Sequence, residues 1–356
     1  MAQLRQLLEL MNSMKASDLI FTAGAPPMLR LSGEIKSIKY QTPLKSEEIE
    51  SLLYSVLTEE QIKRFNNDKE LDASFGVEGI SRFRLNAYYQ RGSVGVAIRL
   101  IPFNIPTLKD LGLPAIVRDF ADRPNGLILV TGPTGSGKST TLSSMIEHIN
   151  EQRQCHIITI EDPIEFVHAH KKSIVDQREV GSDTVSFYEA LRHVLRETPD
   201  VIMIGEMRDL DTIKAALTLA ETGHLILATL HTHSASHAIN RIIDVFPAQQ
   251  QQQVRMQLSA VLLGVVVQEL IPMKNKDALV LATEIMSVNN AIRHLVRENN
   301  VHQIYTAIQT GSADNMITLN GSLASLVYEN IIDEEVALQR SNDPKELENL
   351  LIQKRL

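Results

Sequence analysis

Residues 127–149, LILVTGPTGSGKSTTLSSMIEHI, constrain this chain more than any other stretch. An apolar run of strand length leads into a glycine-rich loop that opens at once into a helix-forming run. Gly132, Pro133, Thr134, Gly135, Ser136, Gly137, Lys138 and Ser139 fit the pattern G-x-x-x-x-G-K-[ST], with Thr140 following, in the strand–loop–helix setting that pattern needs. Glycines let successive backbone N–H groups turn toward phosphate oxygens, and the helix N-terminus adds a favourable dipole. Lys138 supplies a mobile cation for β- and γ-phosphates, and Ser139 is placed to ligate Mg²⁺. The competing reading is a bare glycine turn joining strand to helix, which the flanking runs disfavour. The loop therefore predicts a site for ATP with Mg²⁺.

Beyond the loop, the strand-length runs HIITIED, VIMIGE and HLILATLH alternate with helical patterns near 138–150, 186–197 and 209–222. Such alternation predicts an α/β fold with a parallel sheet covered by helices on both faces. From Asn289 onward the pattern is helical, in AIRHLVREN, VHQIYTAIQT, TLNGSLASLVYEN, EEVALQR and PKELENLLIQ. The glutamine run Gln249 to Gln253 reads as a polar helix start after Pro247.

Ahead of the loop, LRLSGEIKSI through SRFRLNAYYQRGSVGVAIRLIP alternates β-rich runs with a helix near SEEIESLLYSVL, and Arg91-Gly92 supplies a hairpin turn. This predicts a small α+β domain over 1–101. Three prolines in PFNIPTLKDLGLP mark 102–114 as a linker of restricted flexibility. The expected ATPase core spans 115–288 and the C-terminal helical region 289–356. A length of 356 residues suits two domains.

Composition narrows the classes. The chain is 44% hydrophobic and 22% charged with no Trp, as expected of a globular protein without a disordered bias. The single Cys155 can form no internal disulfide, which suits a reducing compartment. At the N-terminus Leu4, Leu7, Leu8 and Met11 share one face of an amphipathic helix, and no cleavage-site pattern follows, so a signal peptide is not expected. The longest apolar stretch, 260–267, is broken by Gly264 and is far shorter than a membrane span. Membrane contact is therefore expected through a partner. A net charge of −8 gives no general electrostatic reason to bind nucleic acid.

Three further motifs carry chemistry. The strand in DVIMIGEMRD is expected to end in Glu206, so a carboxylate is delivered to the sheet edge where nucleotides bind and where it can orient the attacking water. Asp200 precedes that strand and shapes its start. TIEDPIEF places Glu161 and Asp162 at another strand end, as candidates with Glu206 and Ser139 for hydrated Mg²⁺. Carboxylates beside a proline also commonly make a plain turn. TGHLILATLHTHSA sets His224 before a strand and His231 and His233 after it; His231 is the candidate to donate to a γ-phosphate oxygen. A zinc site is the rival reading, but neither H-E-x-x-H nor a cysteine cluster accompanies these histidines.

Taken in order, the glycine loop, TIEDPIEF, GEMRD and GHLILATLHT resemble the Walker A, Asp box, Walker B and His box of the secretion-type hexameric ATPases. Within that superfamily the chain is similar over nearly its full length to the type IV pilus retraction ATPases, from ASDLIFTAGAPPMLRLSGEI through RFRLNAYYQ to AIRHLVRE, residues 291–298. The resemblance implies a PAS-like N-terminal domain, a RecA-like second domain and a homo-hexameric ring. It further implies an inner-membrane platform protein as partner and a location at the cytoplasmic face of the membrane, with pilus retraction and twitching motility as the function. The chain departs from the usual pattern at Ile20 in ASDLI, His233 in LHTHS, and VVVQELIPM. An accessory retraction paralogue is similar too, and is both an alternative identity and a possible partner. A pilus-assembly or secretion ATPase and a RecA-like nucleic-acid motor are the more distant alternatives.

Phosphoryl transfer in such rings draws positive charge from outside the loop. Arg82, Arg84, Arg91 and Arg99 are the candidates. Arg82 and Arg84 share a strand face, and Arg84 and Arg99 match the nucleotide-facing arginines that the resemblance implies. Strand arginines are also commonly just solvated or salt-bridged.

Overall fold

The computed structural model describes residues 2–31, 33–38, 42–102, 104–276 and 278–353, so Phe103 of the expected linker lies outside the described residues. Two compact units divide the chain: Met1–Asn104 with Glu165–Val167, and Ile105–Ile164 with His168–Leu356. From Ile105 the expected linker is part of the second unit, where Leu108, Leu111 and Leu113 pack against its core.

In the first unit the described residues form β1 (Asp18–Phe21), β2 (Met28–Leu31), β3 (Glu34–Ser37), β4 (Glu70–Val77), β5 (Ser81–Gln90) and β6 (Ser93–Ile101), in an antiparallel sheet of order β3-β2-β1-β6-β5-β4. Helices α1 (Ala2–Ser13), α2 (Ser46–Tyr54) and α3 (Glu59–Asp68) accompany it. Phe83, Leu85 and Ala87 alternate into the core while Arg84 stays exposed on the other face, as the period of two dictates. Leu4, Leu7, Leu8 and Met11 of α1 are buried in the same core, each contributing about 1.5–3 kcal/mol of apolar burial. The β5–β6 hairpin turns on Arg91 and Gly92 at φ 49° and 76°, the two positive values a tight two-residue turn requires.

The second unit is built on β7 (Gly126–Thr131), β8 (His156–Glu161), β9 (Ile174–Glu179), β10 (Val201–Ile204), β11 (Leu225–Leu230), β12 (Leu262–Pro272) and β13 (Leu279–Ser287). Their order is β13-β12-β7-β11-β10-β8-β9. All pair in parallel except β13, which runs antiparallel to β12, so the expected parallel sheet is in fact mixed at one edge.

The continuous apolar runs are explained by burial on both faces. Leu127, Ile158, Ile202 and Ile226 feed one core together with α6 (Phe187–Val194), α7 (Leu210–Glu221), α8 (Ala235–Asp244), α9 (Ala248–Val261) and α10 (Asn290–Arg297). Their neighbours Ile128, Ile157, Val201 and Leu225 feed the opposite core with α4 (Ile116–Ala121) and α5 (Lys138–Gln152). After α11 (Ile304–Gln309), helices α12 (Leu319–Tyr328), α13 (Glu334–Arg340) and α14 (Pro344–Gln353) pack with Ile271 and Ala282 of the β12–β13 ribbon. Among the described residues no helix is long and apolar enough to cross a membrane.

Candidate functional site

At the end of β7 the chain enters the glycine loop, where Gly132, Gly135 and Gly137 adopt φ of 145°, 78° and 86°. The last two alternate with Ser136 and Lys138, an arrangement that turns successive amides inward. Gly132 is demanded by its neighbours: a Cβ there would lie 2.3 Å from the Gln268 carbonyl oxygen and 2.6 Å from Ser136 Oγ. Helix α5 starts at Lys138, and its N-cap Gly137 brings no side-chain acceptor to the first amides. Lys138 is buried and donates from Nζ to the carbonyls of Gly132 and Pro133, both at 2.9 Å. Ser136 Oγ is buried without a hydrogen-bond partner among the described residues. Thr134 and Gly135 are exposed, while Pro133, Ser139 and Thr140 are half-buried. Inward amides, a lysine and an unpaired buried hydroxyl on one short loop form a donor set suited to a polyphosphate.

The next strands in the sheet bring the other motifs to the same edge. Proceeding from β7, the order is β11, β10, β8, and these strands end just before His231, Glu206 and Asp162 respectively, with Glu161 the last residue of β8. Gly205 permits this closeness, since its N–H reaches Ile160 O at 2.8 Å and a Cβ would meet that same oxygen at 3.2 Å. Thr229 Oγ1 donates to Gly205 O and Met207 N donates to Thr229 O, tying the end of β10 to that of β11. Glu206 and His231 are thereby held together, with His231 Nε2 3.1 Å from Glu206 Oε1.

Sequence reasoning assigned no role to Arg208, yet its Nη2 lies 2.6 Å from Glu206 Oε2. Burial pushes the Glu206 carboxyl up, but the Arg208 hydrogen bond and the charges of His231 and Arg208 outweigh it and hold the group below the ordinary glutamate value. Glu206 is therefore an anion engaged on both oxygens. Asp162 is exposed and acts on the same guanidinium. Glu161 is buried, and its Oε1 accepts from Thr159 Oγ1 at 2.6 Å and from Gln177 Nε2 at 3.1 Å.

Gln268 on β12 also escaped the sequence reading. It is buried and donates to Thr141 Oγ1 at 2.7 Å, bracing the first turn of α5, while its backbone oxygen abuts Gly132. A lone glutamine inside VVVQELI was the available signal. His224 precedes β11, at the opposite end of the strand from His231, and its Nδ1 meets Leu219 O at 2.9 Å. His233 is exposed. Asp200 accepts from His156 N at 2.8 Å ahead of β10. Among the described residues no three His, Cys, Asp or Glu side chains converge as a metal cage.

Arg84 and Arg99 belong to the first unit, opposite one another in the β5–β6 register. Arg99 also faces Asp18, which in turn faces Arg30, so one cross-strand row runs Arg30, Asp18, Arg99, Arg84. Asp18 Oδ1 lies 2.8 Å from Arg99 Nε and its Oδ2 3.2 Å from Arg30 Nε. Burial raises the Asp18 pKa, but the hydrogen bonds from Ser17 and Arg99 outweigh it and the net shift is downward. Asp18, Asp72, Arg84, Asn86, Ala97 and Arg99 line a hollow of about 300 Å³. Arg82 turns instead to Ser74 Oγ at 2.8 Å, and Arg91 occupies the hairpin turn.

A parallel α/β sheet with this glycine loop and an adjacent Glu–His pair at one edge defines a P-loop nucleotide-binding protein. The chain belongs to the type II/IV secretion system protein family, whose model matches residues 63–312. It is 48% identical to the type IV pilus retraction ATPase PilT of Pseudomonas aeruginosa, over 93% of this chain and 95% of that protein. It is also 40% identical to the type IV pilus ATPase PilU of the same organism, over 97% of this chain and 90% of that one. A crystal structure of the pilus retraction motor PilT with bound ADP has 50% identity and a TM-score of 0.89, covering 96% of this chain and 99% of that one.

Proposed function

We propose that this chain hydrolyses ATP as the motor that retracts type IV pili. The observation that carries the reading is the order at one sheet edge: the phosphate loop, His231, Glu206 and the Glu161–Asp162 pair follow adjacent parallel strands. Relatives of near-equal length that are pilus ATPases supply the biological setting.

On this reading the loop amides, Ser136 and Lys138 hold the phosphates of ATP from Gly132 to Thr140, and Lys138 exchanges its two loop carbonyls for phosphate oxygens. Glu206 accepts a hydrogen bond from the attacking water, and His231 donates to the γ-phosphate. Arg84 and Arg99 add positive charge to the transferred phosphoryl group. Ser139, Glu206 and Asp162 offer the hard oxygen ligands that suit Mg²⁺, which commonly takes only one or two carboxylates beside phosphate and water. When bound, that ion neutralises charge on the β- and γ-phosphates. Glu161, whose Oε1 is already shared by Thr159 and Gln177, serves better as a brace than as a ligand.

The chain works as a homo-hexamer at the cytoplasmic face of the inner membrane, docked on a pilus platform protein, with the passage from Asn104 to Ile105 linking the moving parts. A second reading, an accessory retraction ATPase, is favoured by the likeness to PilU. Phosphate release from ATP, measured with and without single-stranded DNA, tests the chemistry; absence of release, or release that needs DNA, refutes it. In a deletion strain, accumulated surface pili with lost twitching support the motor reading. Loss of pili points to assembly, and retained twitching to the accessory role.

A further inference from the structure

Glu284, on β13, is 1% exposed and lies outside the chemistry assigned above. Its Oε1 accepts the N–H of Ala235, the first residue of α8, at 2.7 Å. The Leu319 amide, at the first residue of α12, acts electrostatically on this group, while Oε2 has no hydrogen-bond partner among the described residues. One buried carboxyl group thus stands by the N-terminal ends of two helices, where the dipole and the exposed amides favour negative charge. Burial still pushes the Glu284 carboxyl above its ordinary range, with the Ala235 and Leu319 amides opposing that push.

The two helices lead to different places. Going back from α8, only residues 231–234 separate Ala235 from the end of β11, and they carry His231 to its contact with Glu206. Ser234 caps α8 by accepting from His237 N, but nothing else described on α8 anchors the Ala235 amide. Helix α12 is seated beside Glu284 by a bridge between Ile285 and Ile317, with hydrogen bonds of 2.8 and 3.1 Å, and by Thr283 N donating to Ser322 Oγ at 3.1 Å. The first turn of α12 joins α14 through Asn320, whose Nδ2 donates to Glu346 Oε2 at 2.5 Å and to Asp343 O at 3.0 Å. Tyr305 of α11 donates to the same Glu346 carboxylate.

We propose that Glu284 is a positioning residue that locks the His231–Ser234 segment to the seat of α12, making ATP turnover depend on how the C-terminal helices are placed. The proposal rests on the reading of His231 as the group that faces the γ-phosphate. A carboxyl group is suited to this task because it accepts from the Ala235 amide while acting electrostatically on the Leu319 amide, whereas an apolar residue of like size does neither. Glutamine keeps one acceptor for Ala235 but turns an NH₂ toward the Leu319 side.

The test uses the full chain with three variants, Glu284→Leu, Glu284→Gln and His231→Ala, read by phosphate release from ATP and by backbone amide exchange. Glu284→Leu is expected to lower kcat about 10- to 100-fold, as a small misplacement of a reacting group does, with KM for ATP unchanged. Glu284→Gln should recover most of kcat. Exchange should quicken over both 231–236 and 317–322 in Glu284→Leu, and over 317–322 alone in Glu284→Gln. The lock is refuted if folded Glu284→Leu turns over at the wild-type rate, if KM rises in step with the fall in kcat, or if exchange changes on one side only. Should Glu284→Leu not fold, Glu284→Gln decides: unchanged exchange over 317–322 refutes the lock. Normal turnover in His231→Ala refutes the role of His231 while the exchange readout still judges Glu284.

Discussion

Replacing Gly132 by alanine should cost the second unit far more stability than the same change at Gly135. Both residues sit at positive φ, 145° and 78°, and holding an L-residue there costs about 1–3 kcal/mol. At Gly135 an added Cβ has no atom within 4 Å, so that is the whole cost. At Gly132 it meets the Gln268 backbone oxygen at 2.3 Å and Ser136 Oγ at 2.6 Å. That oxygen belongs to β12, a central strand paired to β7 and β13, and cannot step aside without breaking ladder bonds. Overpacking of this kind adds about 1–3 kcal/mol, for a total of roughly 2–6 kcal/mol. Against a domain stability of about 5–15 kcal/mol, a large share is lost. Because the chain has two units, the loss is read from amide exchange of β7 and α5 peptides as urea rises, not from one global signal. ATP should also give less protection to Gly132→Ala, since stabilisation by a ligand falls as its affinity falls. Equal urea sensitivity of the two variants would refute the claim that β12 dictates Gly132.

Glu206→Gln should bind ATP as the wild type does and hydrolyse it about 10²- to 10⁴-fold more slowly, as measured by nucleotide binding and single-turnover phosphate release. Asp18→Asn should leave the first unit folded but with a lower melting temperature, because the buried carboxylate is held by Ser17, Arg30 and Arg99 and hydrogen bonds to charged groups contribute about 1.5–3 kcal/mol. It should also slow turnover by loosening Arg99, and Arg99→Ala should slow it at least as much; wild-type rates in both variants would leave the arginine row without a role. Glu147 is held at about 2 by hydrogen bonding to His168, with burial opposing and Lys171 assisting. A depressed carboxylate stabilises the fold above its unfolded value near 4.5 and loses that contribution as pH falls toward 2. Discounted for solvent screening of this partly exposed cluster, the contribution is about 1–2 kcal/mol. Glu147→Gln should therefore flatten the loss of stability between those pH values, and an unchanged acid limb in urea titrations would count against the His168–Glu147–Lys171 cluster as its source.

The glycine loop and its strand ends were legible because each depends on a local rule: glycine at positive φ, apolar runs buried on both faces, a carboxylate one or two residues past a strand. Less legible were the strands that break their own pattern. β12 carries Gly264, where a Cβ would lie 2.4 Å from the Phe120 ring, so the glycine that reads as an interruption is a packing requirement within the strand. β9 is an edge strand with Ile174 facing out and Asp176, Gln177 and Arg178 along it, so it lacks the apolar run of its neighbours. Gln177 could not be linked to Glu161 without that strand, nor Gln268 to Thr141 without β12. Arg208 lies in plain sight within GEMRD, but its pairing depends on a rotamer that no spacing rule fixes.

These missed partners bear on how the proposed motor can switch. Lys138 rests on the Gly132 and Pro133 carbonyls, and Glu206 rests between Arg208 and His231. Each contact must be at least partly exchanged before the lysine can meet a phosphate or the glutamate a water. A polyphosphate brings several negative charges to the very edge where Lys138 and His231 stand, and hydrogen bonds to charged groups are worth about 1.5–3 kcal/mol each. Exchange of neutral carbonyls for charged oxygens therefore favours the bound arrangement at Lys138, and the same charge draws His231 off Glu206. On the proposed reading, loss of the γ-phosphate returns His231 to Glu206, while Lys138 returns to its loop carbonyls once the β-phosphate has also left. A ligand can shift an equilibrium only by its differential affinity for the two states, and on the proposed reading these two exchanges are where this chain stores that difference.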